Sequence, residues 1–147
     1  MDKEQAISRI RTLLATNKVG MMSTNLGKIP HNSFPMGTQE MDADGDLWFL
    51  SNGVSEHFQD IQADSRVQIV YTNEERQEYL SIYGGAEPIR DADKINDYWS
   101  PFLGGWYEDE KDSDPVLIKV RILDARMWDS ERNEMVSLLR SPSMANA

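Results

Sequence analysis

The residues with the clearest chemical potential lie in the stretch 34–64, where a polar turn joins two apolar runs and a serine then opens a short helix pattern. Ser55 is a good helix N-cap, and Phe58 and Ile61 follow it on one predicted helix face. His57, one of only two histidines with His31, lies in the first turn of this helix. The first N–H groups of a helix have no partner within it, so the segment predicts an anion site beside a strand end.

Other reactive arrangements are weakly supported. Asp42, Asp44 and Asp46 suggest a calcium loop, but Gly45 precedes the third aspartate and the twelfth position is Gly53, so a solvated hairpin turn is favoured. The chain has no G-x-S-x-G elbow, no H-E-x-x-H motif, no P-loop and no G-x-G-x-x-G turn. A zinc site would need both histidines and a carboxylate, and we rank it far behind the anion site.

The charge balance limits the partners. With 15 Lys and Arg against 25 Asp and Glu, the net charge of −10 argues against binding to nucleic acid. No Lys or Arg lies between Ile29 and Ser65, so an anion near Ser55 must rely on helix N–H groups, on the histidines, or on residues from elsewhere. There is no cysteine, which excludes disulfides and thiolate chemistry.

The sequence predicts no membrane association. The first residues are charged and lack the apolar core of a signal peptide. No apolar run approaches the roughly 18 residues of a membrane span. We therefore expect a cytoplasmic protein.

The elements that position the site are mostly strands. Alternating or continuous apolar runs predict strands over 19–24, from after Pro30 to Met41, and over 47–52, 66–71, 78–83 and 116–122. Gly84 and Gly85 suggest a bulge after the fifth of these. Because the strands are mostly adjacent in sequence, they favour an antiparallel sheet closed into a small barrel. The predicted fold is mainly β with peripheral helices, in a single domain over 1–139.

The helices are predicted at the periphery. Asp2 caps a helix over 3–16, Asp91 caps a short helix that Pro101 ends, and Ser130 caps a terminal helix. The terminal helix rests on the apolar residues Met135, Val136, Leu138 and Leu139. The segment 140–147 is expected to be a disordered tail.

Three aromatic residues lie on or near a predicted irregular loop, namely Trp99, Trp106 and Tyr107. Such residues serve either in a core or subunit interface, or as one wall for a planar aromatic ligand. The sequence leaves both interpretations open.

Several short motifs, in their order and spacing, resemble one family. They are Pro35-Met36-Gly37-Thr38-Gln39, Asp44-Gly45-Asp46-Leu47-Trp48-Phe49, the helix-opening Ser55, Tyr83-Gly84-Gly85-Ala86-Glu87, Trp99-Ser100-Pro101, Trp106-Tyr107, and Asp114-Pro115-Val116-Leu117 leading to Trp128. Together they resemble the general stress protein branch of the pyridoxamine 5′-phosphate oxidase-like, flavin-binding split barrels. The resemblance extends from the first helix to about Leu139.

The resemblance implies a six-stranded antiparallel split β-barrel that forms a homodimer, with FMN, or sometimes FAD, at the subunit interface. It implies that the flavin is surrounded by four groups of residues. These are Phe34, Met36 and Thr38 along the flavin; Trp48, Phe49, Leu50 and Ser51, whose backbone groups lie beside the isoalloxazine edge; Ser55 and His57 at the phosphate; and Trp106 closing the site from the partner chain.

Two positions depart from the family pattern. Members commonly carry Arg before the Pro-Met pair, where this chain has Phe34, and Lys two residues after the capping serine, where it has His57. The loss of two charge-assisted hydrogen bonds is expected to weaken FMN binding by about two to four decades. A protonated His57 would restore part of it and make binding tighter at low pH. Arg66 and a Lys of the partner chain are further candidates for compensation.

Three functions are compatible with the resemblance. The first is a flavin-dependent oxidoreductase that takes hydride from NADH or NADPH, for which the sequence marks no catalytic acid or base. The second is a non-enzymatic flavin carrier or sensor in the stress response. The third is a cofactor-free structural dimer that kept the fold.

Overall fold

The computed structural model describes residues 1–98 and 114–146, and these form seven strands and three α-helices. The strands are β1 Val19–Thr24, β2 Asn32–Met41, β3 Leu47–Asn52, β4 Arg66–Asn73, β5 Glu78–Ile89, β6 Pro115–Asp129 and β7 Glu134–Arg140. The helices are α1 Lys3–Thr16, α2 Glu56–Ala63 and α3 Ala92–Tyr98, and a short 3₁₀ helix covers Pro142–Asn146.

The first six strands close into a barrel. The sheet order is β3-β2-β1-β4-β5-β6-β7, all neighbours are antiparallel, and β3 also pairs with β6. β6 is long enough to serve two partners in turn, because residues 115–120 pair with β3 and residues 124–129 pair with β7. The six-stranded antiparallel split barrel expected from the sequence is confirmed.

The barrel interior holds the main core. Inward-facing side chains of β1 to β6 fill it, among them Met22, Phe49, Ile69 and Ile82, each fully buried. α1 packs on this core through an apolar stripe that includes Ile10, and Asp2 caps it with a reciprocal bond to Gln5, as the sequence predicts. The hairpin turn between β2 and β3 also forms as predicted, with Gly45 at a φ of 89°.

The predicted terminal helix is wrong, because the segment forms β7. The apolar spacing of Met135, Val136, Leu138 and Leu139 suits a helix, but the second half of β6 leaves an edge that β3 does not reach, and β7 pairs with it. Tertiary pairing therefore outweighs the local periodicity. Asp129 closes the hairpin by accepting hydrogen bonds from the N–H groups of Glu131 and Arg132.

Other boundaries differ less. A register shift between Tyr83 and Gly84 confirms the predicted bulge, after which β5 continues to Ile89. The segment expected as a tail begins with the last residue of β7 and continues into the 3₁₀ helix.

Trp99, Trp106 and Tyr107 lie outside the described residues. Within 1–98 and 114–146, no helix is long and apolar enough to cross a membrane.

Candidate functional site

The start of α2 is built as the sequence predicts. Ser55 is the N-cap, with extended backbone, and its Oγ accepts a hydrogen bond from the Phe58 N–H at 3.3 Å. The same hydroxyl donates to the Asn52 carbonyl at 2.6 Å, which ties the helix start to the end of β3. The side chains of Phe58 and Ile61 anchor the helix in the protein interior. A helix start therefore lies directly beside a strand end.

Two serine hydroxyls meet the imidazole of His57. The Nε2 atom of His57 lies 2.5 Å from the Ser51 Oγ and 3.2 Å from the Ser55 Oγ. Ser51 is buried, whereas Ser55 and His57 are partly exposed. Three side chains that can donate or accept hydrogen bonds thus converge where a ligand could reach two of them.

The ring of Phe34 stacks on the ring of His57. Their centroids are 4.0 Å apart and their planes differ by 24°. Burial lowers the pKa of His57 to about 4, and the nearby charge of Asp60 opposes that shift only in part. The imidazole is therefore neutral at pH 6 as well as at pH 8. Because the ring is desolvated, the protonated His57 that was expected to tighten binding at low pH forms only as the pH approaches 4.

Carboxylates are tied into the same region. The Asp60 Oδ2 accepts hydrogen bonds from the Thr24 hydroxyl at 2.8 Å and from the Asn32 amide at 2.6 Å. The Asn32 amide also lies 3.3 Å from the Glu56 Oε1. These bonds join β1, β2 and α2, and they place two negative charges in the first turns of the helix.

The guanidinium of Arg90 reaches the approach to α2 but is already paired. It donates to both Asp114 carboxylate oxygens, at 2.6 and 2.9 Å, and its carbon lies 5.8 Å from the Phe58 ring centroid. The Asp114 backbone holds this pair in place, because its carbonyl accepts from the Gly53 N–H at 2.8 Å. A Cβ at Gly53 would collide with the Asp114 carboxylate, so the position suits glycine.

Arg66 does not compensate for the missing cations. It follows the C-cap of α2, at the opposite end of the helix from Ser55, and its guanidinium pairs with Asp64 at 2.6 Å. An eight-residue helix is about 12 Å long. Arg66 therefore stabilises the exit from α2.

Three of the predicted site residues have side chains that point into the barrel. Met36 and Phe49 belong to the main core, and the Thr38 hydroxyl bonds the buried Tyr71 hydroxyl at 2.6 Å. Burial raises the pKa of Tyr71, which keeps that phenol protonated. The side chains of Met36, Thr38 and Phe49 are thus committed to packing.

Trp48 and Leu50 lie on the other face of β3, in a second cluster with Leu117 beneath α3. The Trp48 indole donates to the Asp42 carboxylate at 2.8 Å, and the Lys94 ammonium lies 4.0 Å from the Trp48 ring centroid. The cluster anchors α3. Of the predicted site residues, the structure brings together Phe34, Ser51, Ser55 and His57, while Trp106 lies outside the described residues.

Several residues at the site were not predicted. Asn32 and Asp60 lie far apart in sequence, and so do Arg90 and Asp114. Only the barrel brings each pair together, and no local pattern marks them. The one available signal was Gly53 directly before the capping segment, since a glycine there indicates a close approach by another group.

The fold and this site define the class of protein: a split barrel in which a helix opens beside the end of the third strand. The chain belongs to the family described as pyridoxamine 5′-phosphate oxidase like, whose model matches residues 5–145. The family expected from the sequence is confirmed. The chain is also similar to protein bli-3 of Neurospora crassa, with 26% identity over 141 residues, 88% of this chain and 68% of that protein.

Solved structures share the fold. A Clostridium acetobutylicum protein related to general stress protein 26 has a TM-score of 0.72 at 15% identity, covering 92% of this chain and 96% of that one. General stress protein 26 of Bacillus anthracis gives 0.70 at 21%, covering 93% and 99%. A heme binding protein of Mycobacterium smegmatis gives 0.63 at 18%, covering 93% and 59%.

The residues at the start of α2 fit the ring system and the hydroxyl chain of FMN better than they fit its phosphate group. Aromatic rings and neutral hydroxyl donors suit a planar ring system and a chain of hydroxyl groups. A phosphate dianion needs compensating positive charge. The described groups around Ser55 are instead a neutral imidazole, two carboxylates and a guanidinium that Asp114 already neutralises. The phosphate end of FMN is therefore not matched.

Proposed function

We propose that this protein is a flavin-binding member of its family and that the flavin binds at the start of α2. The proposal is carried by one observation, the convergence of the Phe34 and His57 rings with the Ser51 and Ser55 hydroxyls at a partly exposed helix start. A ligand that combines a planar aromatic system with hydroxyl groups has the complementary chemistry. FMN and FAD are the ligands that the family resemblance implies.

Heme is a weaker candidate for this chain. One structural neighbour is described as a heme binding protein, and an imidazole is a common axial ligand of heme iron. Here the Nε2 of His57 is held between two serine hydroxyls, and the Nδ1 of His31 lies 2.7 Å from the Lys28 carbonyl. These contacts favour the flavin proposal.

The experiment is a titration of the purified protein with FMN and riboflavin, followed by quenching of flavin fluorescence. Saturable binding of either flavin supports the proposal, and a Ser55→Ala variant is expected to weaken it, since the N-cap orders the helix start. Exposed Thr12→Ala on α1 is the matched control. If neither flavin binds, the chain kept the fold without the cofactor.

Oxidoreductase activity is the second part of the proposal. When bound, a flavin supplies hydride chemistry, and the chain's part is to hold and orient it. Reduction of the bound flavin by NADH or NADPH under anaerobic conditions supports an enzyme. Binding without reduction supports the carrier or sensor alternative.

We also propose a homodimer, formed through the outer face of β1 and β4. Val19, Met21 and Val70 are 58%, 46% and 40% exposed there, and Met21 and Val70 are direct neighbours across the two strands. Adjacent exposed apolar side chains of this kind mark interaction surfaces, and a two-fold axis is the commonest way to cover them.

A further inference from the structure

The start of α2 offers hydrogen bonds without positive charge. The Ser51 and Ser55 hydroxyls lie 2.5 and 3.2 Å from the Nε2 atom of His57, and each of the three groups is neutral. Such groups exchange hydrogen bonds equally well with a hydroxyl on a ligand. They do not neutralise an anion.

The stack of Phe34 on His57 maintains this neutrality. With its ring centroid 4.0 Å away, Phe34 covers one face of the imidazole and excludes water from it. A charged imidazolium at this position would lose hydration, which disfavours the protonated form. The two aromatic rings therefore act as one apolar unit.

Among the described residues, two carboxylates lie in the first turns of α2. Asp60 and Glu56 are both tied to the Asn32 amide, so their carboxylates are held in the first turns of α2. An anion at the helix start would be repelled by both of these charges. The helix dipole contributes only about half a positive charge against these two carboxylates.

Arg90 does not reverse this balance. Its guanidinium makes a two-pronged ion pair with Asp114, and the Asp114 backbone is itself bonded to Asn52 and Gly53. Arg90 keeps further N–H donors, but its charge is already neutralised by Asp114, so a phosphate would meet an ion pair with no net positive charge.

We infer that this site selects flavins whose side chain ends in a hydroxyl group, as riboflavin does, over flavins that end in a phosphate. The inference rests on the proposed function that a flavin binds here. The hydroxyl end exchanges hydrogen bonds with Ser55 and His57, whereas a phosphate dianion would lose its hydration without gaining an unpaired cation from the described residues. Phe34 and His57 are the residues that set this specificity.

The test compares the dissociation constants of riboflavin and FMN, measured by fluorescence quenching near pH 7 at fixed salt. The wild-type protein is expected to bind riboflavin about tenfold more tightly than FMN. A Phe34→Arg, His57→Lys double variant adds two positive charges at the site and is expected to invert the preference by about ten- to a hundredfold. Glu75→Lys, at an exposed position between β4 and β5, makes the same change in net charge and is expected to leave the ratio unchanged.

The double variant replaces two packed rings and could fail to fold, so a second variant provides an independent test. Asp114→Asn releases Arg90 at an exposed ion pair and is expected to tighten FMN binding several-fold without changing riboflavin binding. Tighter binding of FMN than of riboflavin by the wild-type protein overturns the inference and leaves the proposed function standing. If neither flavin binds the wild-type protein, the proposed function fails and the inference fails with it.

Discussion

At the scale of single residues, the imidazole of His57 decides the character of the site. It is one of two histidines in the chain, and its ring is held by Ser51, Ser55 and Phe34. The pKa of His57 falls from 6.5 to about 4 on folding. At a pH between these two values, the unfolded chain therefore binds a proton at His57 and the folded chain does not. The contribution of the neutral His57 imidazole to the free energy of unfolding is therefore complete above about pH 6.5 and is lost as the pH falls toward 4.

This difference predicts a pH-dependent stability. Between about pH 6.5 and pH 4, His57 is expected to cost about 2 kcal/mol of unfolding free energy, after allowance for solvent screening of a partly exposed ring. A His57→Gln variant keeps a polar group near Ser51 but does not titrate. Urea unfolding of both proteins across this range is expected to show a shallower decline for the variant. Parallel declines would mean that the folded imidazole titrates normally.

Only part of the site could be predicted from the sequence. The Ser55 cap was predictable because capping is local and depends on the residue type. The contact between Phe34 and His57 was not, because it joins residues 23 positions apart that only the packing of β2 against α2 brings together. For the same reason the lowered pKa of His57 has no local signature in the sequence.

At the scale of elements, β7 shows where tertiary pairing outweighs local pattern. Its apolar spacing predicted a helix, yet the free edge of β6 recruits it as a strand and buries Leu138 in the main core. The other strands and the N-capped helices were predictable, because their periodicity and capping residues agree with their surroundings.

A pair of alanine variants tests the role of β7. Leu138 is 7% exposed and Met135 is 42% exposed, although both are long apolar side chains on the same strand. Leu138→Ala is expected to lower the unfolding free energy by about 2–4 kcal/mol, and Met135→Ala by less than about 0.5 kcal/mol. Chemical denaturation measures both. Equal effects would contradict the packing of Leu138 in the barrel core.

At the scale of the whole molecule, closure of the barrel was predictable from the adjacency of its strands, whereas the surface that we propose to pair two copies was not. The outer faces of β1 and β4 expose Val19, Met21 and Val70, and this patch is visible only once the register of the two strands is known. Alternation assigns residues to a face, but it does not say which faces remain uncovered.

The proposed dimer gives a prediction at this scale. Met21→Asp places a charge in the centre of the apolar patch and is expected to shift the protein from dimer to monomer in analytical ultracentrifugation. Ile29→Asp is the control, because Ile29 is 91% exposed and lies between β1 and β2, away from the patch. A dimer that persists in the Met21 variant would place the interface elsewhere.

The double pairing of β6 has a consequence for synthesis on the ribosome. The strands that close the ring, β3 and β6, are separated by at least 63 positions, from Asn52 to Pro115. Until the first half of β6 emerges, β3 and β5 each present one open edge, and open edges pair readily with other chains. A nascent chain arrested before residue 115 is therefore expected to be far more prone to aggregation than one that has passed residue 120.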